Sequence, residues 1–163
     1  MPNPMLTTLA DNYLQFSGIT ERYLKLFTDN DLSWKPREDM RSIRDLIVHL
    51  YDGIELVCQS VKTGEIGEKE QEVFTKKLEK FTIEQYIDYS KKVRKLYADT
   101  LKHALEEELH KTIHVFYGDF NWGTMLGFVY DEHLHHRGQL VTYIRLMGKE
   151  PPFAYDYENN DPV

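Results

Sequence analysis

Apolar residues recur at three- and four-residue spacing through four long stretches of this chain, separated by Gly, Pro or clustered charge. Leu6, Leu9, Tyr13, Phe16, Ile19, Tyr23, Leu24 and Phe27 form one helical face and predict a first helix over residues 5–27. Ser42, with Asp45 able to return its hydrogen bond, opens a second. That helix carries Ile43, Leu46, Ile47, Leu50, Ile54 and Val57 to about residue 62, where Thr63-Gly64 stops it. Thr82-Ile83-Glu84-Gln85 reads as a capping box and predicts a third helix reaching about residue 109. The fourth starts near Asn121 and stops at Met147, with Gly148 in the left-handed C-terminal position and Pro151-Pro152 preventing continuation.

The connections are less regular. Residues 28–40, with Asn30, Trp34 and Pro36, show no strand alternation and read as a loop. Residues 65–80 are charged, with Val73 and Phe74 as apolar anchors, and predict a surface connection holding at most a short turn of helix. Between residues 109 and 121, β-branched and aromatic residues surround Gly118, which suits an extended link or a small hairpin. Four helices without a convincing strand predict an all-α fold, a four-helix bundle with long inter-helix connections, as one domain over residues 1–163. The long second connection admits a crossover as readily as simple up-down-up-down packing.

Charge narrows the partners. The 20 basic residues are outnumbered by 27 acidic ones, so the net charge of -7 argues against a nucleic-acid backbone as ligand. No stretch approaches the roughly 18 apolar residues of a membrane helix, and no secretory leader pattern opens the chain. The single cysteine, Cys58, has no partner for an internal disulfide and reads as a buried small hydrophobe, which fits a reducing, cytoplasmic setting.

The chemistry concentrates in Asp131-Glu132-His133-Leu134-His135-His136-Arg137-Gly138-Gln139, which holds three of the seven histidines. At about 100° per residue, His133 and His136 share the apolar face of Leu126, Val129, Leu140, Ile144 and Met147. Glu132 lies one residue further round, four positions before His136, and His135 falls on the outer side. Two ligand pairs are therefore open: Glu132 with His136, or His133 with His136. A zinc-like catalytic ion wants a third protein donor, and His49, beside the apolar face of the second helix, can supply it. The apolar face favours His133. The plainer reading keeps the inward histidines as hydrogen-bonded core residues and leaves Asp131 and Glu132 as solvated or supporting groups. His103, His110 and His114 sit among charged neighbours and are weaker candidates.

His135-His136-Arg137-Gly138-Gln139-Leu140, then Tyr143-Ile144-Arg145-Leu146-Met147-Gly148 and Pro151-Pro152, resemble the C-terminal signature of the DinB family. Leu32-Ser33-Trp34-Lys35-Pro36 and Ser42 to Leu50 resemble its upstream block, with the histidine at His49. The resemblance implies an up-up-down-down-like bundle, often a homodimer, with a divalent metal on three histidines; with Glu132 as a ligand the set becomes two histidines and a carboxylate, compatible with Zn, Ni, Fe or Mn. Carried over, those positions are His49, His136 and, four residues before it, Glu132 in place of the family's histidine; the extra histidine here is His133. The resemblance further implies a thiol S-transferase-like or related detoxifying enzyme acting on a small molecule with a low-molecular-weight thiol. A metal-dependent hydrolase, or a stress-induced binding module without catalysis, are the alternatives. Tyr130, Arg137 and Gln139 are nearby polar groups without an assigned role.

Overall fold

A computed structural model of the chain describes residues 3–163. Helix α1 covers Pro4–Leu24, where the Asn3 side chain accepts from the Met5 and Leu6 N–H groups. Pro4 fits the first turn because its missing N–H would have had no helical partner. Helix α2, Ile43–Tyr51, starts with the expected reciprocal bonds between Ser42 and Asp45. It does not continue to residue 62. The chain breaks at Asp52-Gly53 and resumes as α3, Ile54–Thr63, ended by Gly64 at φ 80°. The break is supported from outside, because Gln71 Nε2 donates to the Asp52 carbonyl at 3.3 Å and Thr75 Oγ1 to its carboxylate at 3.0 Å.

Those two side chains belong to α4, Glu68–Leu78, three turns of helix where the pattern predicted a surface connection. Of the two expected anchors, Phe74 packs partly buried against the core while Val73 is exposed, and the fully buried anchor of α4 is Leu78. Helix α5, Ile83–His103, opens at the Thr82–Gln85 capping box and ends six residues early, with a short α6 at Glu106–Leu109 after an extended Ala104.

Strands are present in addition to the helices. Strand β1 (Glu65–Ile66) runs parallel to β2 (Thr112–Val115), which pairs antiparallel with β3 (Gly118–Asn121), in the order β1-β2-β3. The fold is thus mostly helical with a small sheet, and the hairpin foreseen around Gly118 forms its main part. Helix α7, Trp122–Leu146, closes the bundle, with Gly148 left-handed at φ 73° as expected.

Cross-helix pairs fix the directions. Asp11 meets Lys102 and Glu21 meets Arg94, so α1 and α5 are antiparallel. Glu55 meets Lys92 while Cys58 meets Thr100, so α3 and α5 are parallel. Tyr143 bonds the Arg41 carbonyl and Trp122 the Val57 carbonyl, so α7 runs against α2 and α3. The order is up-down-down-up, which corrects the up-up-down-down arrangement. The parallel α3 and α5 are joined by the long crossover that contains β1 and α4.

The core is rich in tyrosine. Tyr13, Tyr23, Tyr51, Tyr86 and Tyr97 are essentially inaccessible, and a buried phenol needs a partner. Tyr97 donates to the Leu126 carbonyl and Tyr86 to that of Leu78.

Candidate metal centre

Because α7 runs against α2, His49 faces the Glu132–His136 turn. His136 Nε2 and Glu132 Oε2 are 2.9 Å apart, and His49 Nε2 is 3.6 Å from the same carboxylate oxygen. The two imidazoles meet edge to face, centroids 4.7 Å apart. One donor atom from each of the three residues falls within 4.8 Å of the other two, a span one divalent ion can bridge.

The surroundings suit ligation. His136 is buried, and its Nδ1 lies 2.8 Å from Gln139 Oε1 while Gln139 Nε2 lies 3.0 Å from His135 Nε2. With Nδ1–H donating to Gln139, the His136 Nε2 lone pair points at Glu132, and such a bond on the far nitrogen is how ligating histidines are usually oriented. Burial, then the neighbouring Arg41, holds the His49 imidazole below its ordinary pKa, so it too presents a neutral ring. Two nitrogen lone pairs and a carboxylate converging without a proton donor between them fit a divalent cation.

His133 is not brought to this cluster. It points toward α1, fully buried, with Tyr13 Oη 3.2 Å from its Nδ1 and Thr20 Oγ1 2.9 Å from its Nε2. Thr20 donates its own proton to the Phe16 carbonyl, so Nε2–H donates to Thr20 and Nδ1 accepts from Tyr13. Both ring nitrogens are committed. Desolvation, with Arg137 adding to it, pushes the ring's pKa down to about 3. The apolar face that favoured His133 as a ligand instead marks it as the partner of a buried tyrosine.

The remaining candidates lie elsewhere. His135 is exposed, as expected, and borders the centre without joining its donors: its ring meets that of His136 edge to face at 4.8 Å between centroids, and its Nε2 lies 3.0 Å from Gln139 Nε2. Arg137 lies over the Phe16 ring and Tyr130 meets that ring edge to face, on the α1 side of α7. His103 bonds the Asp99 carbonyl, and His114 pairs with Asp119 across the hairpin. Burial pushes the Cys58 thiol up to about 12, so it is no nucleophile.

His49 and Glu132 are half-exposed and border a groove of about 670 Å³ between α2, α3, α4, the hairpin and α7. Phe116, Tyr117, Phe120 and Phe128 line it, with Asp52 and Gln71 at the α4 side. Neither the aromatic rim nor Asp52 stood out in the sequence. Asp52, three residues after His49, shares its helical face, which is the signal that could have found it.

A family model for the DinB family matches residues 1–162. The chain belongs to the DinB family. Solved DinB structures share its fold. A DinB-like protein from Bacillus subtilis is 22% identical, with a TM-score of 0.70 over 91% of this chain and 98% of its own. A structure assigned to the family from Exiguobacterium sibiricum is 21% identical, with a TM-score of 0.72 over 91% and 95%. A DinB-like protein from Bacillus cereus is 18% identical, with a TM-score of 0.66 over 89% and 94%. No curated protein matches the chain. Among the described residues of this DinB chain, no helix is long and apolar enough to cross a membrane.

Proposed function

We propose that this DinB family chain is a metal-dependent enzyme of small-molecule chemistry, holding a divalent ion of the Zn, Ni, Fe or Mn type through His49, Glu132 and His136, and joining a low-molecular-weight thiol to an electrophile. The observation that carries the reading is the position of the three donors: one ligand is buried and two border a groove. A purely structural ion is usually closed off by four protein ligands, whereas three donors beside a groove leave room for a substrate. Bound there, the ion would supply a Lewis acid that holds a thiol as thiolate at neutral pH. In the transfer, sulfur forms a bond to the electrophile's carbon, the leaving group departs with its bonding pair, and the thiol proton passes to solvent. The chain's own share is orientation: Gln139 fixes His136, and the aromatic rim of the groove would flank the reacting carbon.

A hydrolytic reading is favoured by one feature, the carboxylate of Glu132 in place of a third imidazole. Two histidines and a glutamate form a harder set, of the kind that activates water in zinc hydrolases.

The test is metal content and turnover of the purified protein and of His136→Ala. A stoichiometric metal lost in the variant, with thiol conjugation of 1-chloro-2,4-dinitrobenzene lost alongside it, supports the transferase. Metal-dependent cleavage of p-nitrophenyl esters without conjugation supports the hydrolase. A metal-free protein whose melting is unchanged by the substitution sinks both.

A further inference from the structure

The groove has a second polar pole that metal binding does not use. Asp52 ends α2 and lines the same groove as His49 and Glu132. Its Oδ2 accepts from Thr75 Oγ1 at 3.0 Å, but that hydroxyl also lies 3.0 Å from the Gln71 carbonyl, so a single proton is shared between two acceptors. A carboxylate offers about four lone-pair sites; Thr75, the Gln71 side chain and the Asp52 backbone N–H occupy part of that capacity, and the residue still lines the groove beside His49.

The walls next to this pole are aromatic. Phe116 and Tyr117 form the turn between β2 and β3 and are 54% and 61% exposed, held over the groove rather than packed into the core. Phe128, on α7, lines the same groove with its ring edge to face against Phe120 at 5.6 Å between centroids. The lining includes two carboxylates, Asp52 and Glu132, and no Lys or Arg; Arg41, the cation whose charge bears on both Asp52 and His49, stands outside it. An aromatic face beside a carboxylate attracts cations and repels anions, and Asp52 is the carboxylate in question, since Glu132 belongs to the metal cluster. Desolvation raises the Asp52 carboxyl to about 6, so it is mostly ionised at pH 7.5.

We infer that the groove binds a flat aromatic cation, with the ammonium or amidinium end on Asp52 and the ring against Phe116, Tyr117 and Phe128. This rests on reading the groove as the substrate site and gives that substrate its chemical class.

The experiment is calorimetric titration of the full chain, stripped of metal so that neither probe can ligate an ion, with 1-naphthylmethylamine and with 1-naphthoate at pH 7.5. The amine is expected to bind at least about tenfold more tightly, the difference one charge-assisted hydrogen bond makes. Asp52→Asn, an isostere that keeps the Thr75 contact, should remove most of that preference, and Phe128→Ala should weaken binding of the amine without inverting it. Glu132→Gln should change the preference less than Asp52→Asn. Equal or tighter binding of the carboxylate, no binding of either probe at millimolar concentration, or a preference that survives Asp52→Asn would overturn the proposal. His136→Ala separates the two readings: amine preference retained by a chain that never held metal leaves this inference standing and removes only the metal centre.

Discussion

Glu132 and His136, one turn apart on α7, face each other with Oε2 and Nε2 separated by 2.9 Å, and His49 reaches the same oxygen from α2. Two acceptors at that distance repel unless a proton or a cation lies between them, and the Gln139 contact supplies the Nδ1 side with its own partner. Metal binding should therefore respond to these three residues together. Alanine at His49, Glu132 or His136 is expected to reduce bound metal from stoichiometric to a small fraction, read by elemental analysis after gel filtration. His133→Asn should retain it; loss of metal there and retention in Glu132→Ala would restore the three-histidine set.

His133 is expected to matter for folding. Replacing it by Ala leaves Tyr13 Oη and a cavity in the core, and an unsatisfied buried polar group alone costs about 1–3 kcal/mol. The melting temperature of His133→Ala should fall by roughly 2–12 °C, while Tyr13→Phe in the same background should recover part of the loss. Unchanged melting would remove the Tyr13–His133–Thr20 chain as a core element.

The same histidine sets an acid limit. Its folded pKa, about 3, lies below the 6.5 of an unperturbed ring, so the unfolded chain binds more protons between those values. The stability it preserves is present above pH 6.5 and is lost as pH falls toward 3. Urea midpoints should drop between pH 7.5 and pH 5, and the drop should be smaller in His133→Asn.

Asp52 works in the opposite sense. Its folded pKa, about 6, lies above the ordinary 3.8, so the folded chain holds the extra proton and stability declines as pH rises from about 4 through 6. The gap corresponds to about 3 kcal/mol as an upper figure, with Arg41, Thr75 and Gln71 already acting to lower it. Asp52→Asn is expected to melt higher than the natural chain at pH 7.5 and to match it near pH 4. A lower melting temperature at pH 7.5 would show that the carboxylate is structural.

Glu21 and Arg94 form a buried ion pair at 3.1 Å, with Arg94 also donating to the Asp161 carbonyl at 2.8 Å. Removing one partner strands the other charge, so Glu21→Leu should destabilise by about 3–5 kcal/mol. Glu21→Leu with Arg94→Met should cost clearly less than the single change, as measured by urea denaturation.

Helices with a long apolar face and local caps were legible along the chain, since spacing and capping are properties of a few neighbouring residues: Ser42 with Asp45, Thr82 with Gln85, and Gly148 all act where they were expected. The sequence also brought His49, Glu132 and His136 into consideration. Tertiary structure decided the rest. The α2–α3 break depends on Gln71 and Thr75 reaching Asp52 from α4, and α4 is held by Leu78 within a segment that looks merely charged. The choice between Glu132 and His133 could not follow from periodicity, because both lie near the inward side of α7 and differ only in which helix they meet. The up-down-down-up order puts α2 opposite Glu132 and α1 opposite His133. One histidine turn thereby supplies a carboxylate and an imidazole to the His49 cluster beside an open groove, and a second imidazole to a buried phenol that needed a partner.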